Sequence, residues 1–212
     1  MCFSYQVSLL TFTIGTTFSF LLMKYGNPNY KKENIIAGIF AIFIALIQFM
    51  DFLFWIDIKN KVGINKITTI LGPILNAGQP IIFYIIKYLF FYPNVFSIKY
   101  FNFPVFLLNA LYFVYFLITY SKFLSKGNLV TSTLNKHLSW PWIEYFNPSF
   151  YLILFAINIF YLFNFKYALL LFSITYLFLF LSVKFFYYNA GELWCFFGSF
   201  IPLFMLVGSY LI

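Results

Sequence analysis

The residues whose chemistry is out of place in this chain are Gln48 and Asp51, set inside the apolar run LIQFMDFLFW at 46–55. A carboxylate at membrane depth costs about 2.5–3.5 kcal/mol on insertion scales unless it is paired, so Asp51, one of five acidic residues, needs a partner. Gln48, Asp51 and Trp55 are spaced i, i+3 and i+7 and so fall on one stripe of a helix. Asn76 and Gln79 are also three apart and could floor the same cavity, with Gln48 or Gln79 donating to Asp51; Lys87 and Lys184 are the candidates for an ion pair. The second concentration of chemistry is the only histidine, His137, followed by Trp140 and Glu144 in KHLSWPWIEYFNP. Glu192, Trp194 and Cys195 in GELWCF, with Cys2 at the start, complete the set.

Three kinds of chemistry fit these residue types. Asp51 could take up a proton or a cation. Asp51 or Glu192 could act as a base with His137 as acid. Cys2, Asp51, His137, Glu192 and Cys195 form a pool of metal ligands, but with one histidine and no HxxxH, HExxH or CxxC spacing they are weak candidates, and the sequence predicts no metal site. The last apolar run has no lysine for a retinal Schiff base, and no GxSxG marks a serine nucleophile. Which cofactor, if any, the chain uses is not fixed by these residues.

Each residue also has a plainer role. Gln48, Asn76, Gln79, Asn109 and Asn158 suit hydrogen bonds between helices, at roughly 0.6–2 kcal/mol each. Trp140, Trp142 and His137 suit an interfacial belt, Glu144 and Glu192 suit helix N-termini, and Cys195 suits an inert buried thiol.

The elements that must carry these residues follow from composition. Of 212 residues, 63% are hydrophobic, 26% aromatic and 8% charged, which excludes a soluble domain and predicts an integral membrane helical bundle, all-α, as a single polytopic domain over 1–212. All thirteen basic residues are lysines, scattered singly through loops, so the net charge of +8 implies membrane flanks and not nucleic acid. Seven apolar runs are expected, at about 7–23, 34–56, 67–91, 103–120, 150–163, 167–187 and 193–212; the count is six if the short fifth run joins the loop before it. The first resembles a signal-peptide core but lacks preceding lysines and a cleavage site, and is read as a retained helix. The third is interrupted at Gly72-Pro73 and again at Gly78-Gln79-Pro80, and the carbonyls this frees must face protein or a wet cavity. Lysines divide six against seven between the two faces, so orientation is not fixed.

If the seven runs alternate, the N-terminus and the second-to-third, fourth-to-fifth and sixth-to-seventh loops share one face. Cys2, Asp51, His137, Glu144, Glu192 and Cys195 then gather there, which predicts a one-sided polar pocket.

The opening Met-Cys-Phe-Ser, IQFMDFLFW at 47–55, NKITTILGPILNAGQP at 65–80, HLSW at 137–140 and NAGELWCF at 189–196 occur in the order of an uncharacterised multi-pass membrane protein family. That family begins Met-Cys-Phe-Ser or Met-Cys-Trp-Ser and is found in bacteria, protists and large DNA viruses; the chain resembles it over nearly its whole length. The resemblance matches Cys2 and Ser4 to its start, Gln48 and Asp51 to its second helix, Gln79-Pro80 to its Gln-Pro break, His137 and Trp140 to its His-x-x-Trp, and Glu192, Trp194 and Cys195 to its Glu-x-Trp-Cys. Asp51 stands where Glu is more usual, and the loop before His137 lacks cysteines and glycines that some members show. The resemblance implies the fold and the polar set, and no activity. The functional expectation is a membrane protein that binds or transports a proton, a cation or a small polar ligand; the alternatives are a membrane-embedded enzyme, with or without a metal, acting on a lipid or small polar substrate, and a structural protein of a viral or organellar membrane. The expected partners are the lipid bilayer and that ligand.

Overall fold

In the computed structural model of the protein, which describes residues 4–91, 102–134, 137–185 and 190–212, the first helix is inside out by the standard of a helix in water. α1 (Tyr5–Tyr25) buries Ser8, Thr11, Gly15, Ser19 and Leu22 and exposes Leu9, Leu10 and Phe20. Small residues at this three-and-four spacing let a second backbone approach closely, which is how helices associate where lipid removes the hydrophobic drive. The partner is α2 (Lys31–Asn60): Gly15 leaves no room for more than a Cβ, which would stand 3.1 Å from that of Ala45. Ser4 starts α1 by accepting from the Val7 amide, and a turn at Pro28–Tyr30 reverses the chain into α2. At the far end of α2, Lys61 takes a left-handed conformation, and the Asp57 carboxylate accepts from the amides of Gly63, Ile64 and Asn65, placing an anion at the start of the next helix.

The expected third run is two helices, α3 (Asn65–Asn76) and α4 (Gln79–Phe91), bent by 55° where they meet. The interruption expected at Gly72-Pro73 does not end a helix: α3 continues through Pro73, and Tyr120 Oη reaches the Ile70 carbonyl 3.1 Å away in the adjoining turn. The second interruption does end one. A Cβ on Gly78 would lie 2.2 Å from the Ile74 carbonyl oxygen, so the close return of the chain there requires glycine. The freed Ala77 carbonyl accepts from Tyr112 Oη at 2.8 Å, and the Pro80 carbonyl from Asn158 Nδ2 at 3.0 Å, as the rule for backbone at membrane depth demands.

α5 (Phe103–Lys126) also exposes leucines and phenylalanines while burying Asn109 and Thr119. The segment after it, expected as a plain loop, folds back into the bundle. Strands β1 (Ser132–Leu134) and β2 (His137–Ser139) pair antiparallel with Ser132 opposite Ser139, and a turn at Ile143–Tyr145 leads to α6 (Pro148–Leu162). α7 (Phe165–Phe185) follows, and the expected last run is again two helices, α8 (Ala190–Gly198) and α9 (Ile201–Gly208), with Pro202 in the first turn of the second. Phe40, Phe83, Phe155 and Phe163 form an aromatic centre, with Phe40 stacked on Phe83 at 4.2 Å and Phe83 on Phe155 at 5.5 Å. The fold is mostly helical. Among the described residues, four helical stretches are long and apolar enough to cross a membrane: α1, Pro28–Asn60, α5 and α7. The bent α3–α4 pair would make a fifth, while α6 and 193–208 are shorter apolar helices.

Candidate functional site

Asp51 and Gln48 sit side by side on α2 with no exposed surface, one turn from Trp55, which is half buried. One partner that the structure gives Asp51 is not among those expected from the sequence. It is the Trp140 indole, whose Nε1 donates to Oδ1 at 3.0 Å. A hydrogen bond to a charged group is worth about 1.5–3 kcal/mol, so it offsets a good part of the burial. Gln48 Oε1 accepts from Thr11 of α1 at 3.0 Å, and Gln79 Oε1 accepts from Tyr151 Oη instead of Gln79 turning to Asp51. Lys87 donates to the Tyr161 carbonyl at 2.8 Å and lies over its ring. It belongs to the opposite end of α4, beyond Phe83, which packs on Phe40, about 16 Å along α2 from Asp51 at 1.5 Å per residue. Lys184 is exposed beside Phe180 and Phe185.

Trp140 reaches Asp51 because the segment that carries it is clamped on α3. Asn65 donates to the Thr131 carbonyl at 2.8 Å and accepts from the Thr131 amide at 2.8 Å, while Thr69 and Thr131 hydroxyls meet at 2.9 Å. Leu138, Trp140 and Trp142 are then almost wholly buried, not spread in an interfacial belt. Trp142 stacks on Trp140 with ring centres 5.1 Å apart. Its other side rests on α3 in a recess that exists because residue 72 has no side chain: a Cβ there would stand 2.3 Å from Trp142 Cη2.

Trp142 is also a wall. Beyond it lies a cavity of about 400 Å³ between the 142–148 segment, α6, α7 and the start of α8. Asn76, Tyr112, Tyr151, Trp142 and Trp194 line its inner part, and Leu152, Leu179 and Val183 its outer part. Tyr112 Oη holds the Ala77 carbonyl and Tyr151 Oη holds Gln79, so the cavity is built on the break between α3 and α4. Trp194 is fixed edge-on to Tyr151 and Phe155, with Nε1 donating to the Thr175 carbonyl at 3.3 Å. Asn76 Nδ2 points to Cys195 Sγ at 3.5 Å. Among the buried donors without a hydrogen-bond partner in the described residues, two stand at this wall: Nε1 of Trp142 and Nε2 of Gln79.

Of the sequence-derived candidates, Asn76 and Trp194 line the cavity. Gln79 stands behind it through Tyr151, and Asp51 lies two side chains behind its wall, through Trp140 and Trp142. His137 lies on β2, half buried, and burial holds its imidazole below the ordinary value of 6.5. Glu144 is exposed in the turn before α6. Cys2 and the Glu192 side chain lie outside the described residues, and among those described no three His, Cys, Asp or Glu side chains come together as a metal site. Asn109 and Asn158 do what was expected of them, exchanging two amide hydrogen bonds at 3.0 Å between α5 and α6. Sequence reasoning missed Thr11, Thr131, Tyr112 and Tyr151. The tyrosines are two among eighteen and carry no distinguishing signal; Thr11 does, as part of the small-residue stripe of α1.

No family model, no curated protein and no solved structure matches the chain.

Proposed function

We propose that the chain is a seven-span membrane protein of the Met-Cys-Phe-Ser multi-pass family that binds a small ligand in the one-sided cavity, with Asp51 fixing the re-entrant segment that walls it. The observation that carries this reading is the cavity itself. Its volume of about 400 Å³ falls in the range of small-molecule sites, roughly 300–1,000 Å³, and it is lined by apolar and aromatic groups with a few convergent polar ones. Asp51 supports the wall through the stacked pair Trp140 and Trp142. In this reading the fifth span is α6 and the seventh is α8 with α9, each short and tilted or broken.

Native mass spectrometry of protein released gently from membranes tests the binding. A retained non-protein mass is expected in the wild type and is expelled by Gly191→Trp, because among the described residues a Cβ at 191 meets only Ile143 Cδ1, at 3.4 Å, and a large side chain there has the cavity to enter. No retained mass, or the same mass in both proteins, overturns the reading. Cysteines placed at the exposed positions Val62 and Asn128, and at Asn29 and Asn164, test the topology: the first pair is expected to label from one side of the membrane and the second from the other. Labelling of Asn128→Cys and Asn164→Cys from the same side would remove α6 as a span.

A further inference from the structure

The cavity has two chemically distinct ends, and together they specify a class of ligand. Its outer end is made on one side by Leu152 of α6 and by Leu179 and Val183 of α7, and on the other by the exposed Ile143, Asn147 and Pro148. Val183 is 42% exposed, on the flank of α7 that also presents Leu177 and Phe180 outward. In a membrane that flank faces hydrocarbon, so a chain could lie in the outer part of the cavity and leave sideways between helices without crossing water. Its inner end is a cage of Tyr112, Tyr151, Trp142 and Trp194. Among the described residues its lining holds no lysine, carboxylate or imidazole. A charged headgroup placed there would lose its hydration without gaining a counter-ion, at a cost of several kcal/mol. Behind the inner end stand two hydrogen-bond donors. Trp142 Nε1, in the wall itself, and Gln79 Nε2, one hydrogen bond behind the lining at Tyr151, are buried and unpartnered among the described residues and have no surface open to the cavity. Buried donors of this kind are rare because each costs about 1–3 kcal/mol, and a tilt of Trp142 or Tyr151 on ligand entry would bring one to an acceptor and remove the cost.

We infer that the cavity takes a neutral lipid with a single hydrocarbon chain, its ester, carbonyl or hydroxyl oxygens set among Trp142, Gln79 and the two tyrosines and its chain leaving past Leu179 and Val183. This rests on the cavity being a ligand site, and it adds the class of the ligand. Transport of a bare cation has no support in this lining, since the two unspent groups are donors. A small polar ligand would leave the outer, apolar half of the cavity unfilled.

The test uses full-length protein in phosphatidylcholine nanodiscs, with binding read by tryptophan fluorescence and by the shift in thermal midpoint. The probes are monooleoylglycerol, the short-chain monoacetylglycerol, oleate and lysophosphatidylcholine. Monooleoylglycerol is expected to bind at least tenfold more tightly than the other three. Replacement of Trp142 by 3-benzothienylalanine keeps both rings in the Gly72 recess and removes only the N–H, so it is expected to melt like the wild type without ligand and to bind monooleoylglycerol about tenfold more weakly. Val183→Trp, at an exposed position, is expected to weaken the long-chain probe and leave monoacetylglycerol unchanged. Equal binding of oleate or lysophosphatidylcholine overturns the neutral head, and wild-type affinity in the benzothienyl variant at 142 overturns the donor assignment. If monoacetylglycerol binds as tightly as the long-chain probe, the lipid class fails while the cavity stands as a ligand site. Failure of all four probes, with a mass still expelled by Gly191→Trp, likewise overturns the class alone; with no such mass, both readings fail.

Discussion

The two ends of the bundle are built from the same residue types and close differently. At the end where α1 turns into α2, Asn27 donates to the Ser209 carbonyl at 2.7 Å, Asn34 to the Asn27 carbonyl at 3.0 Å, and Tyr167 to Asn34 Oδ1 at 3.1 Å. These bonds tie α9 to the first turn and α7 to α2, under a tightly packed layer of Leu22, Ile36 and Phe163. At the Asp51 end, asparagine, glutamine, tyrosine and tryptophan again converge, but around a void of about 400 Å³, with Nε1 of Trp55 and Trp142 and Nε2 of Gln79 left over among the described residues. Polar groups that saturate one another hold helices together; polar groups that are held in place and not saturated are held for something else. The comparison separates a structural knot from a binding site without reference to residue type, and substitutions at the two ends should therefore fail in different ways.

The largest effect is expected at the wall. Trp142→Ala removes a fully buried ring that stacks on Trp140 and fills the Gly72 recess, and should cost about 3–5 kcal/mol in unfolding while merging the recess with the cavity. Next is the opposite end: Asn34→Leu strands the Tyr167 hydroxyl and takes from the Asn27 carbonyl one of its two donors, leaving the Tyr30 amide, and a loss of roughly 1–3 kcal/mol is expected with ligand affinity unchanged. If affinity fell with stability there, the two ends would not be separable. Asp51→Leu leaves Trp140 Nε1 without its acceptor and should also cost about 1–3 kcal/mol, whereas Asp51→Asn keeps an oxygen for the indole and should cost less. Thermal melts of both variants decide the point, and equal losses would mean that the charge and not the hydrogen bond matters.

The smallest effect is one of pH. His137 is held below its ordinary value of 6.5 by burial, so on acidification the unfolded chain binds the proton first. Its contribution to stability is thus present above that value and declines as pH falls from about 6.5 toward the lowered folded value. His137→Gln should flatten this part of the stability curve, and a curve of unchanged slope would show that the imidazole titrates alike in both states.

Much of the scaffold was legible from residues alone. The break at Gly78-Gln79-Pro80 follows from backbone chemistry, and the Asn109–Asn158 pair follows from the cost of leaving amides alone in an apolar setting. Asp51 announced its need for a partner but not which one. Trp140 is 89 residues away, and its approach depends on the Asn65–Thr69–Thr131 clamp and on the Gly72 recess, neither of which has a local signature. Pro73 acts more mildly than the break at Gly78: a proline inside a helix removes one donor, and α3 runs on through it, so the residue by itself does not end an element. The cage was hidden by composition, because in a chain that is 26% aromatic four caging rings do not stand out. The apolar run at 193–212 gave no hint that it divides at Ser199 and Phe200, apart from Pro202, which suits a helix start.

A density map of the protein prepared from native membranes tests the contrast between the two ends most directly. Elongated non-protein density is predicted in the cavity, with one end within hydrogen-bond reach of Trp142 Nε1 or Gln79 Nε2 and the other leaving past Val183, and no such density is predicted at the Asn27–Ser209 end. A cavity closed by Trp142 or Tyr151 swinging into it, with both donors satisfied by protein, would contradict it.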